Sequence, residues 1–141
     1  MAANTAPIFS ALGSMQWAPA ALTSANTAKD GTGTVTTIAT GNVAGNNAGN
    51  FMQKLLARPL GTNVATVLRV FINNGAVNTT AANNTLIAEL TLPATTLSEV
   101  SAQPDIVLPL NFTLPAGYKI NCTLGTAVAA GYQVTAVGGQ Y

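Results

Sequence analysis

Between Ile106 and Val137 the chain alternates. Ile106, Leu108, Leu110, Phe112 and Leu114 take every second position, with Val107, Pro109, Asn111 and Thr113 between them. A period of two places each set on one face of a strand. After Pro115-Ala116-Gly117 the alternation resumes with Tyr118, Ile120, Cys122 and Leu124. Two such strands joined through a turn ending in Gly predict a β-hairpin, because Gly takes the left-handed conformation that closes it. Tyr132 to Val137 predicts a last strand, released by Gly138-Gly139.

Upstream the same reading gives further short strands. Met15 to Ser24 predicts a first strand around Trp17, and Pro19, which lacks a ladder donor, places it on an edge or at a bulge. Thr34 to Thr40 is Thr-rich and β-branched, which suits a strand. Phe51 to Leu60 fits either a strand or a short helix, and its alternation of Met52, Lys54, Leu56 and Arg58 favours the strand. In Ala65 to Asn73, Leu68, Val70 and Ile72 form one face with Thr66, while Arg69 and Phe71 form the other. Leu86 to Leu92 predicts a strand with Leu86, Ala88, Leu90 and Leu92 inward and Glu89 outward. Segments 41–50 and 76–85 read as polar loops. About eight short strands with few helical patterns predict an all-β domain, a single antiparallel β-sandwich. Eight strands, without the Cys–Trp–Cys spacing of an immunoglobulin-like domain, favour a jelly roll. The expected organisation is an extended N-terminal arm over 1–14 and a sandwich over 15–141. Ile8, Phe9 and Leu12 need burial, on the domain itself or on a neighbouring subunit.

Composition sharpens the picture. The 141 residues are 48% apolar, but only 6% are charged, for a net charge of +1. An average chain carries about 25% charged residues. Five scattered cations argue against a nucleic-acid partner, which needs clustered Lys and Arg to displace counterions. A near-neutral surface tolerates close neighbours, which suits a protein packed in an assembly. No apolar run reaches the ~18–20 residues of a membrane span. Met1 to Trp17 lacks the pattern of a secretory signal, so synthesis in the cytoplasm is expected.

Reactive chemistry is sparse. There is no His and one Cys, which removes the commonest base and metal ligand and any internal disulfide. Alternation puts Cys122 on a core face. The acids are Asp30, Glu89, Glu99 and Asp105. Glu89 with Glu99 or Asp105 would serve a glycosidase only if the carboxyls came within about 5–9 Å. Solvated surface acids are the simpler reading, and neither a catalytic residue nor a cofactor or metal site is expected. Trp17, Tyr118, Tyr132 and Tyr141 are the aromatics that a sugar site would draw on.

The runs Leu114-Pro115-Ala116-Gly117-Tyr118-Lys119-Ile120-Asn121, Gly125-Thr126-Ala127-Val128-Ala129-Ala130-Gly131 and Val137-Gly138-Gly139 resemble a small protein encoded among the structural genes of tailed bacteriophages. Arg69-Val70-Phe71-Ile72-Asn73-Asn74-Gly75 and Leu90-Thr91-Leu92-Pro93-Ala94-Thr95-Thr96 fit the same pattern. The chain is similar in size and character to the head cement (decoration) proteins of short-tailed, Bordetella-type double-stranded DNA phages. The resemblance covers roughly residues 65–141. It implies a jelly roll on the outer surface of the virion capsid, bound to the major capsid protein as a homo-oligomer, a dimer before a trimer, bracing the shell against packaged DNA. It carries over no binding residues. Candidates for a capsid or subunit interface are Phe9, Trp17, Arg58 and Arg69, the two arginines for charge-assisted contacts. The rival reading is a carbohydrate- or receptor-binding β-sandwich of a tail fibre or spike.

Overall fold

The computed structural model describes residues 10, 12–43 and 49–141. They form eight strands: β1 (Leu12–Trp17), β2 (Thr36–Thr40), β3 (Asn50–Pro59), β4 (Thr66–Asn73), β5 (Asn84–Leu92), β6 (Ile106–Leu114), β7 (Lys119–Leu124) and β8 (Tyr132–Gln140), with one 3-10 turn at Ala81–Asn83. Two four-stranded antiparallel sheets pack as a β-sandwich, in the orders β1-β8-β3-β6 and β2-β7-β4-β5. The first half of the chain runs against the second: β1 pairs with β8, β2 with β7, β3 with β6 and β4 with β5. The pairings β3–β8 and β4–β7 knit this ribbon into sheets.

The sandwich class agrees with the sequence reading, but the hairpin over 106–124 does not form. β6 pairs in the first sheet and β7 in the second. The turn itself is present: Tyr118 N donates to Pro115 O at 3.1 Å, and Gly117 has φ +76°. Gly41 N donates to Tyr118 O at 2.8 Å and Gly117 N to Gly41 O at 3.0 Å. These bonds tether the turn to the end of β2 and carry the chain across the sandwich. Both apolar faces point into the core, from opposite sheets. Alternation specifies a face and is silent about the neighbouring strand.

Two further boundaries differ. The first strand starts at Leu12, inside the expected arm, and stops at Trp17, before Pro19. It is an edge strand, the first of the two placements expected, although Pro19 itself lies beyond its end. In β5 a register shift opposite Val70 and Phe71 leaves Ile87 unpaired and pairs Leu86 with Phe71. Leu86 therefore turns to the outer face with Phe71, while Ala88, Leu90 and Leu92 face the core. In β6 a bulge opposite Met52 and Lys54 contains Asn111, at φ +52°. Asn tolerates that left-handed conformation better than a branched residue.

The core lies between the four central strands: Met52 and Leu55 of β3, Leu68 and Val70 of β4, Ile120, Cys122 and Leu124 of β7, and Tyr132, Val134 and Ala136 of β8 are all buried. Beside a depression of about 310 Å³ lined by Met15, Trp17 and Thr37, one side of the sandwich is bridged by Gln16, whose amide donates to Thr40 O at 3.1 Å and accepts from Thr40 N at 2.9 Å. That pair reproduces a strand pairing between β1 and β2. The other side, between β5 and β6, stays open. An apolar cleft of about 220 Å³ lies there, lined by Ile87, Ala88, Leu108, Pro109, Leu110 and Phe112.

Loop ends are fastened by amides. Asn63 is buried; its Oδ1 accepts from Ala130 N at 2.9 Å and Gly131 N at 2.8 Å, and its Nδ2 donates to Gly131 O at 3.2 Å. Its backbone bridges Thr95 in both directions. Asn63→Ala leaves two backbone donors unpaired, so it is expected to cost about 2–4 kcal/mol and lower Tm by about 6–12 °C; a thermal melt within 2 °C of the parent, by that same scaling, would contradict this role.

Cys122 is fully buried, and burial pushes its thiol pKa well above the ordinary value. A thiol-reactive aromatic disulfide should leave the native protein unmodified at pH 8 and label it at once in denaturant. The folded state keeps a proton that the unfolded chain loses. Stability is therefore fully present below the ordinary thiol value of 9.0 and falls as pH rises past it. Melts from pH 8 to 10.5 should show a slope that Cys122→Ala reduces.

Candidate interaction surface

The two outer faces of the sandwich differ. Over the β2-β7-β4-β5 sheet, the asparagine-rich segments fold back and bond to one another. Asn78 Nδ2 donates to Gly31 O at 3.2 Å and to Gly33 O at 2.8 Å. Asn84 Nδ2 donates to Asn78 O at 2.9 Å, and Asn73 Nδ2 to Asn84 Oδ1 at 2.8 Å. Asn26 Nδ2 reaches Thr32 O at 2.9 Å and Thr34 O at 2.8 Å. Phe71 points to this side and is fully buried, yet it stands apart from the core cluster. The loops cover it.

On the β1-β8-β3-β6 sheet the cover among the described residues is confined to one end, where Ser10 lies against the outward side of Gly139. Residues paired across adjacent strands share a face, so the register reads out the outer surface directly. One row runs Trp17, Thr135, Leu56, Val107, and the next runs Met15, Val137, Lys54, Pro109. Met15 is 63% exposed, Trp17 61% and Val107 47%. Four strands at about 4.8 Å spacing and six residues at about 3.3 Å rise give a face of roughly 400 Å². That is within the range of the largest apolar patch on a monomer, which is often functional. The charges on it are Lys54, in the middle, and Arg58, one row beyond Leu56. Arg58 is ion-paired with Asp105 just ahead of β6, and both side chains are more than 60% exposed.

Two of the sequence candidates, Trp17 and Arg58, thus come together on one face. Arg69 lies elsewhere. Its Nε donates to Glu89 Oε1 at 2.8 Å and its Nη1 to Asn26 O at 3.2 Å, and its side chain is only 11% exposed. It ties β4 to β5 and to the covering segment of the opposite sheet. Phe9 lies outside the described residues. Met15, Leu56, Val107 and Val137 join the face without having been singled out from sequence. The signal was present in their alternation with the core residues, but it needed the strand order to become a patch.

The remaining chemistry disperses. Glu89 is held by Arg69 of β4 in one sheet, Asp105 by Arg58 of β3 in the other, and Glu99 lies in the segment between β5 and β6. Tyr132 is fully buried, with its hydroxyl donating to Pro93 O at 3.1 Å, and burial raises its pKa. Tyr118 packs against the core, and the Tyr141 hydroxyl lies 2.8 Å from Thr113 Oγ1. Trp17 is the aromatic of the four that stands free. Compared with protein-family models, curated proteins and solved structures, the chain matches none.

Proposed function

We propose that this protein is a structural cement on the outer surface of a double-stranded DNA phage head. In this reading it binds the major capsid protein lattice through the bare face of the β1-β8-β3-β6 sheet and braces the shell against internal pressure. The observation that carries the reading is the contrast between the two faces, one crossed by its own loops and one that, among the described residues, leaves Trp17, Met15 and Val107 exposed. The strand order β1-β8-β3-β6 over β2-β7-β4-β5, with each half of the chain paired to the other, supports a jelly roll.

The size of the face suits a lattice. About 400 Å² is half of the ~800 Å² per partner of a standard stable complex, so one copy holds weakly by itself. Linking copies makes the second contact intramolecular and multiplies the affinity. Lys54 asks for a carboxylate on the partner. A two-fold axis through the middle of the face would instead oppose two Lys54 side chains, so a different protein fits there better than a second copy. The homodimer that the resemblance implies is better served by the open β5–β6 side. That cleft has no charged lining residue, and Pro109 with the Asn111 bulge discourages edge-to-edge strand pairing. For the rival glycan-binding fibre, Tyr132 is withdrawn into the core and Trp17 is the exposed aromatic among the four named.

Quantifying the protein in purified particles tests this reading. A fixed, high ratio to the major capsid protein is expected, with loss of head integrity when the protein is stripped; a handful of copies per particle would end the proposal. At the residue level, Trp17→Ala should weaken binding to bare heads by about 30-fold, the ~2 kcal/mol of an interface hot spot. The melting temperature should move little, because an exposed side chain contributes within about 0.5 kcal/mol to the fold. Unchanged binding by Trp17→Ala would remove this face from the interface.

A further inference from the structure

A second site lies on the covered sheet. Where the segment after β4 arches over the β7 strand it leaves a depression of about 370 Å³, within the ~300–1,000 Å³ of small-molecule sites. Lys119 and Asn121, two apart on β7, share its floor with Thr37 of the neighbouring β2 strand, and Asn78 and Thr79 form the wall.

Its donors are unmatched. Lys119 makes no ion pair among the described residues. Each acid that could answer it is placed elsewhere: Glu89 is on Arg69, Asp105 on Arg58, and Asp30 accepts from Thr32 N at 3.0 Å and Thr32 Oγ1 at 2.6 Å. None of these, nor Glu99, lines the depression. Asn121 is 3% exposed, and its Oδ1 accepts from Thr37 Oγ1 at 2.8 Å. That bond orients the amide and leaves its NH₂ group with no partner among the described residues. The amide nitrogen keeps contact with solvent, since the fully buried polar side-chain atom without a partner among the described residues is Thr123 Oγ1; a ligand acceptor would take the place of water there. An ammonium and an oriented NH₂ side by side select an anion, and for a group of this size a carboxylate. Around them the lining mixes the apolar Val35, Ala76 and Val77 with hydroxyl and amide groups: Thr37, Thr79, and Asn78, whose Oδ1 is free to accept because its donors are used on Gly31 and Gly33. Such a lining suits a sugar ring, which presents hydroxyls at its edge and C–H groups on its faces.

We infer that this depression binds the carboxylate-bearing sugar unit of an acidic saccharide, with Lys119 and the Asn121 amide on the carboxylate and the threonine and asparagine rim on the ring hydroxyls. The site is on the opposite sheet from the docking face, so it stands or falls independently of the capsid reading, and a head-bound copy would still present it outward.

Titration of the ¹⁵N-labelled protein with glucuronate, glucose and acetate tests this. Glucuronate should saturate in the millimolar range and move the Asn121 side-chain amide signal together with the backbone signals of Thr37 and Thr79. Glucose and acetate should each bind at least about fivefold more weakly, because each lacks one half of the recognition. Lys119→Ala, a change at a half-exposed position, should weaken glucuronate about 5- to 10-fold with an otherwise superimposable spectrum. The inference is overturned by the absence of saturable shifts, by shifts that Lys119→Ala leaves unchanged, or by acetate binding as tightly as glucuronate.

Discussion

The asparagine side chain, acting as a spare peptide group, is the interaction on which this structure depends. With charged residues at 6% of the chain, ion pairs cannot close the ends of eight strands. An asparagine amide offers one acceptor and two donors at the end of a short stem, the same groups a neighbouring backbone would offer. Asn63 stands in for a strand between three loops, Asn26 gathers the turn after β1, and Asn50 donates to Ser14 Oγ at 2.9 Å while accepting from Asn42 N at 2.7 Å. Each of these is short range, geometrically demanding and nearly independent of salt.

Bonds of the same kind give the molecule its two unlike sides. The segments that Asn26, Asn78 and Asn84 hold lie over the β2-β7-β4-β5 sheet, where the Asn26 carbonyl engages Arg69 and Phe71 is buried. Nothing comparable folds over the other sheet among the described residues, and its outward residues stay as the strand alternation leaves them: Trp17, Met15, Leu56, Val107. An apolar face in water is costly unless something covers it, and this one carries one central cation and is framed by the Arg58–Asp105 pair. Those properties are what the proposed adhesive role draws on. The proposed saccharide site belongs to the covered side and draws on the Asn121 amide donor, which the network among the described residues leaves over.

How far this was legible from sequence follows from the range of each interaction. Period-two alternation is local, so the strands and the core positions of Ile120, Cys122 and Leu124 could be read directly, whereas Pro19 left β1 between an edge and a bulge. Strand order is not local. The Pro115–Gly117 turn looks like a hairpin turn from inside its own window, and only its bonds to Gly41, some 75 residues away, send β7 to the other sheet. The bulge at Ile87 was equally hidden: alternation places Leu86 inward, and one unpaired residue reverses it. Trp17 and Arg58 could be named singly, whereas the patch they share exists only through the register of β1, β8 and β3. Arg69 looked like a free surface cation because its partners, Glu89 and the Asn26 carbonyl, are brought to it by pairing and by a covering segment that carries no periodic signal.

The central claim is that the bare face around Trp17 is the side that meets the partner. Trp17 is the sole tryptophan, so its fluorescence reports on that face without labelling. Free in solution, the indole should be accessible to acrylamide, with the red-shifted emission of a hydrated ring. On addition of bare phage heads the emission should shift to the blue and the quenching constant should fall severalfold, while the Trp17→Phe protein gives no signal. Binding to heads with emission and quenching left as in the free protein would contradict the account.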